Sequence, residues 1–154
     1  MAIRIIREEG DEILRKKSRE VDIVDDRIKE LLNDMIETMH KYNGVGLAAV
    51  QVGVLKRVII IEANNMFMEL INPVIIAQSG EDIEQEGCLS VGKDYDYVKR
   101  PMYVTVRAQD RFGYDFCISG EKYLARVLCH EIDHLDGVLF IDKIEKGYKE
   151  KKWK

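Results

Sequence analysis

The sequence predicts an α+β fold in which antiparallel strands pack around a central helix that carries a His-Glu-x-x-His motif. Three observations lead to this prediction. Helical patterns near the two ends of the chain flank several short extended segments. Those segments are rich in β-branched residues, and one of them alternates apolar and polar side chains. No internal repeat and no linker rich in Pro, Gly or Ser divides the chain, so we expect one domain over residues 1–154.

Length and composition restrict the class of protein. The 154 residues fit one domain, since domains commonly run to roughly 100–200 residues. Hydrophobic residues make up 46% and charged residues 34%, which is typical of a globular protein. The net charge of −4, without a basic stripe interleaved with aromatic residues, argues against a nucleic-acid binder.

The cellular compartment is predicted from three absences. The start of the chain lacks the apolar core and cleavage site of a signal peptide, and no run approaches the roughly 18 apolar residues of a membrane span. Three widely spaced cysteines, Cys88, Cys117 and Cys129, make a poor disulfide framework. We therefore expect a cytoplasmic protein that has no membrane contact.

The first helix is predicted in "DDRIKELLNDMIETMHKYNG". Asp25 is a suitable N-cap, and Asn43-Gly44 supplies the residue types that end helices in a left-handed conformation. Apolar residues recur between these limits with the spacing of one helix face, at Ile28, Leu31, Leu32, Met35, Ile36 and Met39.

The middle of the chain is predicted to be extended. The β-branched run "RVIIIEA" indicates a strand buried on both faces, and Asn64-Asn65 is a turn candidate. A short strand "MELINP" is expected to end at Pro73, with Val74–Gln78 forming a further extended piece. The segment "YVTVRAQD" alternates strongly enough for a half-buried antiparallel strand.

The last third of the chain is predicted to hold one more strand and the second helix. After a turn at residues 111–113 we expect a strand over Tyr114–Ile118, and then Ser119-Gly120 before a helix from about Glu121 to Asp136. Gly137 stands where a C-cap glycine belongs. The segment "VLFIDKI" is expected to be extended, and the basic tail "EKGYKEKKWK" to be a solvated end.

Two histidines and a glutamate in "LCHEIDHLDG" have the spacing of a metal site. His130 and His134 are four residues apart, so on a helix they share one face, about 5–6 Å apart. Both imidazoles can then reach one ion at about 2.0–2.1 Å. Glu131 points about 100° away from His130, which lets its carboxylate reach a water on the metal without becoming a ligand.

The motif leaves the third ligand open. A metzincin would need a histidine at position 140, where this chain has Phe140. A gluzincin-type zinc endopeptidase would need an acidic ligand on a following helix, which we do not expect around Glu145 or Glu150. Cys88 in "EQEGCLSVG" is flanked by turn-forming residues, so it could present a thiolate to the metal or be an ordinary buried cysteine.

Three segments taken together resemble the signature motifs of peptide deformylases. They are "GVGLAAVQVG" at 44–53, "EGCLS" at 86–90 and "HEIDH" at 130–134. The resemblance covers roughly residues 44–140, and "ILRKKSREV" is also similar to the opening helical region of the family. It implies a metal-dependent hydrolase that removes the formyl group from the formyl-methionine of newly synthesised polypeptides and releases formate.

The resemblance also implies the metal ligands, which are Cys88, His130 and His134. Iron(II) is the native metal that the family suggests, and zinc, nickel or cobalt could substitute for it. Residue chemistry alone indicates that two imidazoles, one thiolate and an open fourth position suit a borderline metal that catalyses hydrolysis.

The same resemblance implies roles for three further groups. A metal lowers the pKa of its bound water towards about 7. Glu131 is expected to take the proton of that water as its oxygen attacks the formyl carbon, and to deliver a proton to the departing amine. The side-chain amide of Gln51 and the backbone N–H of Leu89 are the implied donors to the oxyanion.

Substrate binding is assigned by resemblance as well. Val45 and Gly46 are expected to hydrogen-bond the main chain of the peptide in a strand-like manner. Tyr123 and Val127 precede His130 by about two turns and one turn of the helix and are candidates for the wall of the methionine slot, although both could be core residues. Arg100 could orient the middle motif through an ion pair or contact the peptide substrate, and we favour the first. Cys129 is expected to be structural.

Two alternatives to a deformylase remain open in the sequence. One is the gluzincin-type endopeptidase, and the other is a catalytically dead relative that binds metal or formylated peptide. The presence of both Glu131 and Gln51 argues against the second. We expect a monomer whose partners are formyl-methionyl nascent polypeptides, with transient ribosome contact through the basic tail and no nucleic-acid specificity.

Overall fold

Two α-helices, seven β-strands and three short 3-10 helices form the described part of the chain, residues 2–92 and 95–148, in this computed structural model. In chain order the main elements are α1 (Asp26–Lys41), β1 (Gly46–Ala48), β2 (Val58–Ala63), β3 (Met66–Ser79), β4 (Asp82–Glu86), β5 (Asp96–Arg100), β6 (Tyr103–Gln109), β7 (Asp115–Glu121) and α2 (Tyr123–Leu135). The 3-10 helices span Glu12–Arg15, Ala49–Val52 and Phe140–Lys143.

The strands form two antiparallel sheets, and α2 packs against the larger one. The five-stranded sheet has the order β1-β2-β3-β6-β7, and β4 and β5 form a separate hairpin. Ile59 and Ile61 on one face of β2 belong to the same apolar cluster as α2, whereas Val58 and Ile60 on the other face belong to the cluster of α1. The predicted α+β class, with antiparallel strands around a central helix, is therefore confirmed.

The first helix follows the sequence prediction at both ends. The Asp25 carboxylate accepts a hydrogen bond from the Ile28 N–H at 3.1 Å, which satisfies one of the unpaired donors of the first turn. After the helix, Asn43 adopts a φ of +56°. The apolar face of α1 is buried against Leu47 and β2. Tertiary packing therefore accounts for the apolar periodicity from which the helix was predicted.

The prediction that Pro73 closes a strand was wrong. β3 continues through Pro73 to Ser79 and includes the Val74–Gln78 segment. The strand tolerates proline there because its pairing with β6 shifts register between Ile71 and Val74, so the missing N–H falls at an irregular position. Asn72 has a φ of +53°, and its side chain bonds both the N–H and the carbonyl of Val21 at 2.8 Å.

Three further predictions changed near the end of the chain. Ser119 and Gly120 belong to β7 and do not form a separate loop, and the helix starts two residues later than expected, at Tyr123. The "VLFIDKI" segment contains a 3-10 helix in place of an extended piece, since burial of Phe140 turns the chain inwards. Of the basic tail, residues 149–154 lie outside the described residues.

The sequence prediction also missed the β4–β5 hairpin, because its first strand, "DIEQE", is polar and shows no clear alternation. Within the described ranges, no helix combines the length and apolar character that crossing a bilayer requires.

Gly137 ends α2 as predicted, and the structure shows a second reason for glycine there. Its φ is +75°, and a Cβ at this position would lie 2.4 Å from the carbonyl oxygen of Arg15. Gly113 also has a positive φ, +84°, but its Cβ would meet no atom within 4 Å. Substitutions at the two glycines therefore distinguish the cost of backbone strain, which both share, from the cost of steric conflict, which arises at Gly137 alone.

We predict that Gly137→Ala destabilises the protein more than Gly113→Ala. The left-handed conformation alone should cost each variant about 1–2 kcal/mol, and the conflict with the Arg15 backbone should add at least roughly 1 kcal/mol at position 137. Urea unfolding of both variants beside the parent measures the difference. Equal losses of unfolding free energy would contradict the proposed packing of Gly137 against Arg15.

Candidate metal centre

Three donor atoms from distant parts of the chain meet at one place. Cys88 follows β4, and His130 and His134 lie on the buried helix α2. One ligand atom from each residue lies within 4.8 Å of the others, and Cys88 Sγ is 3.3 Å from His134 Nε2. The thiol and the two imidazoles are thus grouped closely enough for one ion bound at about 2.0–2.3 Å by each atom.

These three donor atoms therefore fit the metal ion that the His-Glu-x-x-His motif predicted. Two imidazoles and one thiolate are a common donor set for borderline divalent metals, and three protein ligands leave a fourth position for solvent or substrate. His134 is fully buried and His130 nearly so, which shields the centre from bulk water.

The His130 ring is oriented by a buried carboxylate, Glu86. Glu86 Oε1 lies 2.8 Å from His130 Nδ1, so the other ring nitrogen is the one available to a metal. A carboxylate behind a histidine ligand fixes the orientation of the ring and increases its basicity. Glu86 stands two residues before Cys88, so one short segment both supplies a donor and orients another.

Glu86 is itself held by two arginines. Arg100 donates two hydrogen bonds to it, at 2.7 and 2.9 Å, and Arg126 donates one at 2.7 Å. Burial alone would raise the pKa of the Glu86 carboxyl, but Arg100 and His130 outweigh it and lower that pKa below its usual value. Glu86 is therefore ionised, and the predicted ion pair between Arg100 and the middle motif is confirmed.

Glu131 lies beside the three donor atoms and belongs to none of the ion pairs around Glu86. Its side chain is buried, and Oε1 has no hydrogen-bond partner among the described residues. Burial raises the pKa of Glu131 to about 7. A Cβ on Gly46 would lie 2.7 Å from Oε2, so the glycine of the first motif makes room for this carboxylate.

Gln51 is a buried residue whose amide connects the first and middle motifs. Its Oε1 accepts a hydrogen bond from the Ala48 N–H at 2.9 Å, which determines the orientation of the amide. Its Nε2 then points to Ser90 Oγ at 3.0 Å and towards Cys88 Sγ at 3.5 Å. Sequence reasoning missed Ser90, although it lies within the "EGCLS" motif.

A cavity of about 400 Å³ opens beside the donor atoms. The predicted substrate-contacting residues all line it, and so do most of the residues predicted to carry the chemistry: Val45, Gly46, Tyr123 and Val127, with Gln51, Cys88, Leu89, His130 and Glu131. Cys129 is buried elsewhere on α2, and burial raises the pKa of its thiol to about 11, as expected for a structural cysteine.

Sequence reasoning missed Glu86 and Arg126 because both are charged residues of a kind usually found in solvent. Glu86 belongs to the acidic segment "EDIEQE", and Arg126 lies one helical turn before His130. A usable signal was present: a histidine ligand commonly needs a carboxylate partner, and a glutamate two residues from a candidate thiolate is well placed to provide one.

Comparisons with known proteins agree with this geometry. The family model for polypeptide deformylase matches residues 3–150. A peptide deformylase of Acetivibrio thermocellus is 59% identical over 144 residues, covering 94% of this chain and 85% of the relative. One from Alkaliphilus metalliredigens is 56% identical over 146 residues, covering 95% and 99%. The chain belongs to the peptide deformylase family.

Solved deformylase structures share the fold. The peptide deformylase of Thermotoga maritima superposes with a TM-score of 0.92 at 38% identity, covering 94% of this chain and 99% of that one. The Legionella pneumophila enzyme gives 0.90 at 45% identity, covering 94% and 88%. This deformylase is therefore a hydrolase that removes the N-terminal formyl group from newly synthesised polypeptides.

We predict that Glu86→Gln lowers the free energy of unfolding of this deformylase by about 3–5 kcal/mol, because it leaves two buried arginines without their carboxylate. Glu69→Gln is the matched control, since Glu69 pairs with one arginine, Arg111, that is more exposed. The control should lose about 1 kcal/mol. Urea unfolding of both variants measures the difference, and a Glu86→Gln protein as stable as the control would refute the structural role of the network.

Proposed function

We propose that Cys88, His130 and His134 hold the single divalent metal of this enzyme. The observation that carries the proposal is the convergence of their three donor atoms within 4.8 Å. When bound, such a metal supplies Lewis acidity and makes a solvent water acidic enough to act as a nucleophile at neutral pH. The remaining steps are assigned below to groups of the chain itself.

Glu131 is proposed as the proton-transfer residue. Burial raises the pKa of this carboxyl, which favours a group that can accept a proton and then donate it. Its carboxylate would take the proton of the attacking water and pass it to the nitrogen of the departing amine. The unpartnered Oε1 is the atom that supports this role.

Gln51 and Leu89 are proposed to stabilise the oxyanion of the tetrahedral intermediate. The Gln51 amide is held by Ala48, so its Nε2 donors face Cys88. The backbone N–H of Leu89, the residue after Cys88, would be the second donor. Removal of one such donor typically costs about 2.7–4 kcal/mol of transition-state stabilisation.

The formylated peptide is proposed to bind along β1. This strand lies at one edge of the five-stranded sheet, so its outer side can pair with an extended substrate. Val45 and Gly46 would bond the peptide main chain. Tyr123 and Val127, which line the cavity from α2, would form the wall of the slot for the methionine side chain.

We also propose that residues 1–154 act as one catalytic domain, as a monomer in the cytoplasm. Ile13 packs against two of the three apolar clusters, which supports a continuous unit. Transient contact with the ribosome through the basic tail is proposed from the charge of the tail and from the nascent polypeptides that the enzyme processes. We expect no specificity for nucleic-acid sequence and no membrane binding.

Iron(II) is proposed as the native metal, with zinc, nickel or cobalt as substitutes. The mixed thiolate and imidazole donors suit borderline divalent metals in general. The choice of iron(II) among them rests on the resemblance to the deformylase family. Anaerobically purified protein should contain about one iron per chain and lose activity on exposure to air, as iron(II) is oxidised. Protein that contains only zinc and retains full activity in air would refute this assignment.

We predict that Cys88→Ser and Glu131→Gln both abolish formate release from a formyl-methionyl peptide, but for different reasons. Cys88→Ser should lose most of its bound metal, because a hydroxyl is a much weaker ligand than a thiolate. Glu131→Gln should keep its metal and lower kcat by at least about 100-fold, as expected for removal of a general base. Formate assays and metal analysis on the same samples separate the two effects.

Cys117→Ser is the matched control, since Cys117 is an exposed cysteine on β7. It should retain both metal and activity. Full metal content in Cys88→Ser would refute the proposed role of Cys88 as a metal ligand. Unchanged kcat in Glu131→Gln would refute the role of Glu131 in proton transfer.

A further inference from the structure

We propose that two backbone N–H groups in the N-terminal arm, those of Arg7 and Glu9, position the catalytic groups of the first and middle motifs against each other. Arg7 N donates to the Gln51 carbonyl at 2.7 Å, and Glu9 N donates to the Ser90 carbonyl at 2.6 Å. We call residues 7–9 the strap. The inference rests on the roles proposed above for Gln51 and Cys88.

The strap completes a closed set of hydrogen bonds that joins the first and middle motifs. Gln51 Nε2 donates to Ser90 Oγ at 3.0 Å, so the two residues whose carbonyls the strap holds are also joined through their side chains. Ser90 lies in the tight turn that a hydrogen bond from Val91 N to the Cys88 carbonyl closes at 3.0 Å. The position of the Ser90 carbonyl is therefore coupled to the position of Cys88.

Both ends of the strap are anchored away from the site. Upstream, Arg4 N donates to Thr38 Oγ on α1 at 2.9 Å, and the Arg4 side chain pairs with Asp34. Downstream, Asp11 accepts a hydrogen bond from Ile13 N and caps the 3-10 helix Glu12–Arg15. Leu14 of that helix packs in one apolar cluster with Val91. The chain on the upstream side of the strap is thus fixed to α1, and the chain on the downstream side is fixed to the apolar cluster that contains Val91.

The strap buries little of its own surface. The residues from Arg7 to Gly10 are exposed, whereas Gln51 and Ser90 are each 1% exposed. A segment that contributes little buried apolar area contributes little to global stability. Its two hydrogen bonds act on the site instead, where displacements of about 1 Å can cost two orders of magnitude in rate.

The turn over residues 8–11 contains a position at which proline would remove one N–H without changing the backbone conformation. Asp11 N donates to the Glu8 carbonyl at 3.0 Å, and Gly10 has a φ of +102°. Glu9 therefore occupies the second position of a turn whose third position is a glycine with positive φ, which is the position where proline is favoured. Glu9→Pro should preserve the turn and delete the donor to Ser90.

The experiment compares Glu9→Pro and Arg7→Pro with Glu9→Ala and Arg7→Ala. Each proline variant should stay folded with a melting temperature close to that of the parent, retain its metal and lower kcat by about tenfold or more, with KM for a formyl-methionyl peptide changed less than about twofold. The alanine variants keep the backbone N–H at each position and should keep the parental kcat. A stabilising role alone would lower the melting temperature and leave kcat of the folded protein unchanged.

Parental kcat in the folded proline variants would overturn the proposal. If a proline variant does not fold, Asp34→Ala loosens the strap from its upstream anchor, and parental kcat in that protein would overturn the proposal instead. Gln51→Leu separates this inference from the proposed function. If Gln51→Leu loses activity and the proline variants keep it, the strap alone is refuted. If Gln51→Leu keeps activity, the oxyanion role fails and the strap proposal fails with it.

Discussion

The hydrogen bonds of the ionised Glu86 carboxylate are the interactions on which the packing of the β4–β5 hairpin against α2 depends. The carboxylate accepts hydrogen bonds from Arg100 on β5 and Arg126 on α2, and it orients His130 from behind. These contacts join the β4–β5 hairpin to the helix that carries the metal motif. Since β4 leads directly into the segment with Cys88, the same carboxylate that holds the hairpin to α2 also brings the thiol to the imidazoles. A buried charge of this kind is stable only when its partners are all present, so the network favours one arrangement of hairpin and helix.

Two glycines of the first motif leave space for side chains that line the site. Gly46 allows the Glu131 carboxylate to approach the edge strand β1, and Gly44 allows Leu89 to approach the same loop, where a Cβ would lie 2.9 Å from Leu89 Cδ1. The first motif therefore supplies the site with backbone groups and the Gln51 side chain, while the last motif supplies the Glu131 carboxylate. Close backbone approach explains why this loop contains glycines without any phosphate-binding pattern.

The comparison of sequence and structure shows which local patterns survive tertiary packing. The stripe of α1 and the alternation of β6 predicted their elements well, because in both cases one face of the element meets the core. Pro73 was misleading, since a register shift in β3 lets a proline stand inside a strand. The β4–β5 hairpin could not be predicted from apolar periodicity, because β4 is polar and its buried residue is a glutamate that pairs with Arg100.

The sequence by itself determined the nature of the chemistry. The spacing of His130 and His134, with Glu131 between them, follows from helix geometry alone, and three ordered motifs were sufficient to indicate the deformylase family. Only the tertiary structure decided that Cys88 lies beside the two imidazoles, that Glu86 supports His130, and that the N-terminal arm reaches Gln51 and Ser90. Those contacts join residues more than thirty positions apart in the chain, as the 46-residue separation of Cys88 and His134 illustrates. Local propensity carries no information about which distant charges will pair, because that choice depends on how the packed elements exclude water around them.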